Sequence, residues 1–258
     1  MYGGGGMSWK EKVILVGGVG SGLGSAVVST LGAAGATTIG VARNAESLGK
    51  LGELARARGW NFHPEVADLG APAPVAALVQ RVLKDHGRID GLSLNMGRWI
   101  PGDTLLHKTT DAEWASGLND NLNAIFQVTR AVLPAMMERG SGSIVIVSAA
   151  DRVRLHGNVS YCVAKGGLID LARKLSADYR PHGIRVNVVL PGTMEHNVDP
   201  AVPPVEAGPF GLRDSSGSGA WEVARAIRFL LSDEARWITG VELTVDGGFS
   251  TRGKESGA

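Results

Sequence analysis

The stretch VILVGGVGSGLG at residues 13–24 decides the fold of this chain. It opens with four apolar residues, three of them β-branched, and ends in a turn dominated by glycine. Beyond the turn, apolar residues recur at helical spacing as far as Gly35, and residues 37–41 are again rich in β-branched types. A strand, a glycine turn, a helix and a second strand in this order predict a βαβ unit.

The same alternation continues along the rest of the chain. Further strands are predicted at residues 61–66, 91–95, 143–148, 184–189 and 241–245, and further helices near 45–57, 74–86, 110–138, 159–180 and 220–231. The helical pattern at 110–138 is interrupted near 119–121. Short apolar strands are expected where helices cover both faces of a sheet. We therefore predict an α/β fold: a single Rossmann-like, doubly wound domain whose parallel seven-stranded sheet is flanked by helices on both faces.

The composition excludes several classes of protein. The 26 basic and 25 acidic side chains give a formal charge of +1, which provides no basic field for a nucleic acid. The single cysteine, Cys162, excludes an internal disulfide and is expected to be a small packed residue. No apolar run approaches the roughly 18 residues of a membrane span, and no histidine spacing is typical of a metal site. We expect a cytoplasmic protein with no membrane, nucleic-acid or metal partner.

The chain length fits one domain. We expect a flexible tail or cloning remnant at residues 1–10, the folded domain at 11–250 and a second flexible tail at 251–258. The alternation breaks at about 193–219, where proline and glycine are frequent and the apolar periodicity is weak. That segment is predicted to be a loop or lid.

Three glycines of the first turn point to a phosphate site. Gly18, Gly22 and Gly24 follow a G-x-x-x-G-x-G spacing where the strand meets the helix. Such a junction presents backbone N–H groups and the positive end of a helix dipole, which together bind phosphate. The spacing differs from the G-x-G-x-x-G of the usual dinucleotide turn, and a tight turn without a ligand is the alternative. Its position at the first strand-to-helix turn favours a dinucleotide.

The end of the second strand predicts which dinucleotide binds. An acidic residue there binds the ribose 2′-hydroxyl of NAD, whereas an arginine pairs with the 2′-phosphate of NADP. The expected acidic position is Ala42, and Arg43 follows it. NADP(H) is therefore the preferred cofactor and NAD(H) the alternative. The other interpretation of Arg43 is an ordinary solvated surface residue.

A tyrosine and a lysine provide candidate reacting groups. Tyr161 and Lys165 stand at i and i+4, so the phenol and the ammonium share one face of a helix. A positive neighbour is expected to lower the pKa of the tyrosine, as a general acid for carbonyl reduction requires. Ser148 ends a strand at the same edge of the sheet and could donate a hydrogen bond to a carbonyl. By itself, the pattern also fits an amphipathic helix with a snorkelling lysine.

Together these features resemble the short-chain dehydrogenase/reductase family over residues 13–249. The matching motifs, in order, are Gly18-x-x-x-Gly22-x-Gly24, Asp68, Asn95-x-Gly97, Asn121, Ser148, Tyr161-x-x-x-Lys165, Pro191-Gly192, Thr239-Gly240 and Asp246-Gly247-Gly248. The resemblance implies an oxidoreductase domain with a substrate loop at about 193–219. It also implies hydride transfer between NADP(H) and a small ketone, aldehyde or alcohol, as in a carbonyl reductase, and assembly as a homotetramer or homodimer.

The family also implies a role for each matching residue. Tyr161 would be the general acid/base, Lys165 would bind the nicotinamide ribose and tune Tyr161, Ser148 would orient the carbonyl, and Asn121 would hold a proton-relay water. Asp68 would contact the adenine ring and Asn95 the adenosine ribose. With Tyr161 and Lys165, the implied cofactor-binding residues are Gly18, Ser21, Gly22, Leu23, Gly24, Arg43, Asp68, Leu69, Asn95, Gly97, Pro191, Gly192, Thr193 and Met194.

The chain departs from the family pattern at four places. Gly17 replaces the threonine that precedes the glycine turn, Asn-Asn-Ala-Gly reads Leu-Asn-Met-Gly at residues 94–97, and His196 replaces a threonine after Gly192. The fourth departure concerns the serine: counting back from Tyr161 selects Ser148, whereas counting forward from Gly142 selects Ala149. These departures support an alternative function, a nucleotide-binding scaffold or sensor with weakened catalysis.

Loops at the crevice edge supply candidates for the substrate pocket. These candidates are Met96, Arg98, Trp99, Arg152, Arg154 and His156. The three arginines could bind a carboxylate or phosphate of the substrate, or they could be ordinary solvated loop charges. The methionine and the tryptophan could form an apolar wall of the pocket, or they could belong to the core.

Overall fold

The computed structural model describes residues 8–102, 104–194 and 219–251. Seven parallel strands form one sheet in the order β3-β2-β1-β4-β5-β6-β7. They are β1 (Val13–Gly17), β2 (Thr37–Ala42), β3 (Phe62–Val66), β4 (Gly91–Leu94), β5 (Gly142–Val147), β6 (Ile184–Pro191) and β7 (Glu242–Val245). The predicted seven-stranded, doubly wound sheet is confirmed.

Helices connect the strands along the chain. They are α1 (Leu23–Ala33), α2 (Ala45–Arg58), α3 (Pro72–His86), α4 (Asp111–Leu118), α5 (Ala124–Arg139), α6 (Asp151–His156), α7 (Val159–Tyr179) and α8 (Ala220–Leu231). Local chemistry sets their ends, as α2 illustrates. The Asn44 side chain accepts a hydrogen bond from the Glu46 amide at its start, and Gly59 adopts the left-handed conformation at its end.

Two apolar cores lie on opposite faces of the sheet because successive strand residues point in opposite directions. Leu15 packs with buried residues of α3, α5 and α7. Its neighbours Ile14 and Val16 pack with α1, α2 and α8. Residues of β1 are therefore buried on both sides, as the uniformly apolar run predicts.

The strand order reverses beside β1, which pairs with β2 on one side and with β4 on the other. In open α/β sheets, ligands bind outside the carboxyl ends of the strands at such a reversal. The glycine turn after β1 and the loop after β4 meet there, since Gly17 and Leu94 are register partners. The topology places the candidate site at this edge.

Several boundaries refine the sequence prediction. The interruption expected near 119–121 is a π-helical turn, Asn119–Asn123, between α4 and α5. Helix α6 was not expected. Ser8 caps a 3-10 turn at Trp9–Glu11, so regular structure begins within the segment 1–10 that was expected to be a tail. Residues 195–218, which include most of the predicted substrate loop and His196, lie outside the described residues, as do 1–7 and 252–258.

Candidate active site

The glycine turn packs too tightly for side chains at two of its positions. Gly18 has φ +80°, and a Cβ there would lie 2.9 Å from the Met96 backbone nitrogen. A Cβ on Gly24 would lie 2.2 Å from the Gly18 carbonyl oxygen. Gly22 precedes α1 and has no side chain to cap it. The turn therefore presents bare backbone at the positive end of α1, which suits a pyrophosphate.

A cavity of about 680 Å³ opens beside this turn. It brings together residues that the sequence predicts to bind cofactor: Gly18, Arg43, Asp68, Leu69, Asn95 and Gly97. Its volume is typical of cofactor pockets. The glycine cradle, the cavity and the absence of an acid at Ala42 fit an NADP-type dinucleotide. The cavity is also lined by four residues that no sequence motif predicts to bind a ligand: Ser116, Asn119, Asp120 and Ala124. Their nearness in sequence to Asn121 is the one feature that could have indicated them.

Two polar side chains frame the cavity. Asn95 donates from its Nδ2 to the Gly17 carbonyl over 3.2 Å and so ties the loop after β4 to the glycine turn. Arg43 directly follows β2, and its side chain is 72% exposed. Its Nη1 lies 4.0 Å from Asp120 Oδ1, a contact too long to immobilise it. The guanidinium is thus accessible at the mouth of the cavity.

Tyr161 and Lys165 lie on the first turns of α7. The Asn158 side chain caps this helix by accepting from the Tyr161 amide over 2.9 Å. Both reacting side chains are buried. The Tyr161 ring meets Trp99 edge to face, with ring centroids 5.0 Å apart. The hydrogen bonds among the described residues include none to the Tyr161 hydroxyl, which leaves it available to a ligand.

The Lys165 amine is held by backbone. Its Nζ donates to the Met96 carbonyl over 3.2 Å and to the Val147 carbonyl over 3.1 Å. Burial lowers the pKa of Lys165 to about 8. Burial also raises the pKa of Tyr161 to about 12, so the expected lowering of the tyrosine pKa is wrong in this structure. The physical reason is that burial removes water from the phenolate and so disfavours the charged form. The Lys165 amine does not offset this effect, because it is bonded to two backbone carbonyls.

Asn121 sits fully buried in the π-turn and holds the loop after β4. Its Oδ1 accepts from the Arg98 amide over 3.0 Å, and its Nδ2 donates to the Arg98 carbonyl over 3.2 Å. Gly97 makes this approach feasible, because a Cβ there would lie 2.6 Å from Lys165 Nζ and 2.9 Å from Asn121 Oδ1. The structure therefore brings Asn121, Gly97 and Lys165 close together.

Ser148 has a partner inside the protein. Its Oγ donates to the Lys165 carbonyl over 2.6 Å, and the side chain is buried. A hydroxyl has one proton to donate, and this bond uses it. The carbonyl-orienting role of Ser148 stays a prediction, and the geometry gives it no support. Ala149, the alternative position, follows directly and is also buried.

The six substrate-pocket candidates separate in the structure. Among the described contacts, Trp99 is the one that meets the Tyr161 ring. Met96 points toward Gly17, and Arg98 pairs with Asp120. Arg152 stacks over the Phe249 ring at 4.2 Å, Arg154 pairs with Asp151, and His156 Nδ1 lies 2.6 Å from the Arg152 carbonyl oxygen. The arginines of α6 thus have partners other than a site above Tyr161.

The residues after β6 pack against the end of β7. Gly192 donates from its amide to the Val245 carbonyl over 3.3 Å. A Cβ on Gly192 would lie 2.8 Å from Asp246 Cβ, so a larger residue would push β6 from β7. Met194 packs against the core that contains α8. Thr193 and Met194 are the last described residues before the gap.

Among the described residues, no group of three or more His, Cys, Asp or Glu side chains could hold a metal ion. No helix among them is long and apolar enough to cross a membrane.

Known proteins are similar to this chain over most of its length. A family model described as enoyl-(acyl carrier protein) reductase matches residues 18–250. Among curated relatives, the 3-oxoacyl-[acyl-carrier-protein] reductase FabG of Escherichia coli K12 is 34% identical over 245 residues, covering 94% of this chain and 98% of the relative. The protein of that name from Thermotoga maritima is 32% identical over 254 residues, covering 94% and 99%.

Solved structures are also similar to this chain over nearly its whole length. A short-chain dehydrogenase/reductase from Burkholderia xenovorans superposes with a TM-score of 0.83 at 32% identity, covering 95% of this chain and 98% of that one. The citronellol catabolism dehydrogenase AtuB of Pseudomonas aeruginosa PAO1 gives a TM-score of 0.79 at 30% identity, covering 93% and 95%. The likeness extends over nearly the whole chain in both.

Proposed function

Because the chain belongs to the short-chain dehydrogenase/reductase family and is an oxidoreductase of that family, we propose that it interconverts a ketone or aldehyde and an alcohol with NADP(H). The observation that carries this proposal is the burial of Tyr161 and Lys165 on one face of α7, with the Lys165 amine bonded to the loop that borders the dinucleotide cavity. A phenol and an amine at this place suit proton transfer to a substrate oxygen next to a bound nicotinamide.

The cofactor preference rests on the end of β2. Ala42 offers no carboxylate to a ribose 2′-hydroxyl, and the exposed Arg43 guanidinium can pair with a 2′-phosphate. When bound, the cofactor supplies or accepts the hydride, and the protein supplies alignment and the proton. Gly18, Gly22 and Gly24 would cradle the pyrophosphate, and Asn95 and Gly97 would border the ribose.

Tyr161 would donate the proton in the direction of reduction. With a pKa of about 12, its hydroxyl is protonated at neutral pH. The tyrosinate left after donation would be stabilised by the Lys165 ammonium, which is largely charged at neutral pH because its pKa is about 8. Asn121 would fix the loop at Arg98, and with it the Met96 carbonyl that holds Lys165 Nζ.

The substrate class is proposed from the relatives and from Trp99. Curated relatives are named 3-oxoacyl-[acyl-carrier-protein] reductases, so a 3-oxoacyl thioester is the first substrate to test. The partly exposed Trp99 places an apolar ring against Tyr161, which suits an acyl chain next to the reacting carbonyl. A homotetramer or homodimer, a cytoplasmic location and the division into domain and tails stay predictions.

Consumption of NADPH tests the proposal. We expect the purified protein to oxidise NADPH in the presence of a 3-oxoacyl thioester or another member of a panel of ketones and aldehydes, and to prefer NADPH to NADH. The second candidate function is a nucleotide-binding scaffold or sensor, favoured by the internal bond of Ser148. Tight NADPH binding with no turnover across the panel would support that candidate and refute the enzyme.

A further inference from the structure

Asp120 places a negative charge in a cavity proposed to bind a phosphate. It lies in the π-turn immediately before Asn121 and lines the same cavity as Arg43 and Arg98. Its Oδ2 accepts from Arg98 Nε over 2.8 Å, and its Oδ1 lies 4.0 Å from Arg43 Nη1. One carboxylate is therefore flanked by two guanidinium groups.

The two arginines are held to different degrees. Arg98 is fixed by Asp120, by a 3.1 Å bond from its Nη2 to Ser116 Oγ, and through its backbone by Asn121. Arg43 has the long contact to Asp120 and is 72% exposed. Arg98 therefore has little freedom to move toward a ligand, whereas Arg43 can leave Asp120 at small cost.

We propose that Asp120 is a specificity-determining residue that limits how strongly the cavity prefers NADPH over NADH. This inference rests on the proposed cofactor. The Asp120 carboxylate offsets part of the positive charge of Arg43 and repels a 2′-phosphate directly. NADH lacks the 2′-phosphate, so this charge acts on it through the pyrophosphate alone and should change its binding less.

The charge balance gives the direction of the effect. The charged residues that line the cavity, Arg43, Arg98, Asp68 and Asp120, sum to zero, and neutralising Asp120 raises the sum to +1. At separations of several ångströms near a solvated surface, one unit charge changes the binding of an anion by a factor of about three to ten. Screening at about 1 M salt should remove most of this change.

Direct titration of NADPH and NADH, followed by fluorescence or calorimetry, tests the inference without relying on turnover. Asp120→Asn keeps an oxygen that can accept from Arg98 but loses the charge. We expect it to bind NADPH about three-fold to ten-fold more tightly at low salt, with NADH affinity changed by less than about two-fold. Asp120→Ala loses the same charge and should shift the NADPH-to-NADH affinity ratio in the same direction. If one of the two variants folds poorly, the other still provides the test.

Asp170→Asn is the matched control. Asp170 pairs with Arg173 over 3.0 Å on exposed α7 surface, and it does not line the cavity. It loses the same charge and should leave the ratio unchanged. An unaltered ratio in both Asp120 variants, or weaker NADPH binding, would overturn the inference while leaving the proposed function standing. A wild-type protein that binds neither dinucleotide would refute the proposed function itself.

Discussion

The hydroxyl of Ser148 donates a 2.6 Å hydrogen bond to the backbone carbonyl of Lys165. Lys165 lies one helical turn after Tyr161, so this bond anchors the turn of α7 that carries the amine. It also engages the single proton of the hydroxyl. The family-like spacing of serine and tyrosine is therefore present, but in this structure the serine hydroxyl donates its hydrogen bond to the backbone of α7.

Paired variants at residues 148 and 149 test this arrangement. We expect Ser148→Ala to lower the free energy of unfolding by about 1–2 kcal/mol, because a buried carbonyl loses its hydrogen-bond donor. Turnover should fall by less than about ten-fold. Loss of a side chain that donates a hydrogen bond to the reacting oxygen would lower kcat by about a hundred-fold or more. Ala149→Ser should raise kcat by offering a hydroxyl at the alternative position. Loss of turnover in Ser148→Ala with unchanged stability would restore Ser148 to the carbonyl-orienting role.

Gly17 and Met96 replace two family residues and are coupled in space. A Cβ on Gly17 would lie 2.5 Å from Met96 Sδ and 3.1 Å from Leu69 Cδ1. We expect Gly17→Thr to cost about 1–3 kcal/mol of stability through overpacking. In a Met96→Ala background the cost should shrink, with an interaction energy of about 1 kcal/mol in a double-mutant cycle.

Chemical denaturation of the four proteins of this cycle measures the coupling. Gly49→Ala is the control for adding a methyl group, since a Cβ at that position of α2 meets nothing within 4 Å. It should be neutral or slightly stabilising. Strictly additive costs at positions 17 and 96 would show that the two departures are independent.

Burial of Lys165 predicts a pH dependence of stability. The pKa of this lysine falls from 10.5 to about 8 on folding. Between these values the unfolded chain binds more protons than the folded protein, so the free energy of unfolding rises with pH. Compared with Lys165→Met, the wild type should gain on the order of 1–2 kcal/mol between about pH 7.5 and pH 9.5. Urea titrations of both proteins across this range would contradict the account if the difference stayed flat or fell.

Arg43 should carry the preference for NADPH. We expect Arg43→Ala to weaken NADPH binding by about ten-fold and to leave NADH binding nearly unchanged, because a charge-assisted bond to a phosphate contributes about 1.5 kcal/mol or more. The control is Arg228→Ala, on the last turn of α8 and outside the cavity lining. The same NADPH-to-NADH ratio before and after the Arg43 change would refute the cofactor assignment.

The fold and the shape of the site could be predicted because they depend on local patterns. Apolar strands alternating with helices predict the sheet, and the break near Asn121 appears as the π-turn. Gly18, Gly24 and Gly97 recur where side chains would clash with backbone or with reacting groups. The sheet and the glycine turn follow from sequence spacing, whereas Gly97 and Asn121 are indicated by the resemblance to the family.

Side-chain directions could not be predicted, because they are set by tertiary packing. The spacing of Tyr161 and Lys165 suggested a lowered tyrosine pKa, but two backbone carbonyls distant in sequence hold the amine, and burial dominates. Arg98 turns to Asp120, a residue that no motif marks. Such pairings depend on loops whose geometry the sequence does not encode locally.

In the proposed function, the Tyr161 hydroxyl transfers the proton in an NADPH-dependent carbonyl reduction. The most direct test of this role is the steady-state rate of NADPH oxidation by wild type and Tyr161→Phe with the best carbonyl substrate of the panel, together with NADPH affinity measured by fluorescence. We predict that the variant loses at least about 10²–10⁴-fold in kcat, the range typical of a general acid, while its NADPH affinity stays within about two-fold. A variant that retains full turnover would contradict the mechanism.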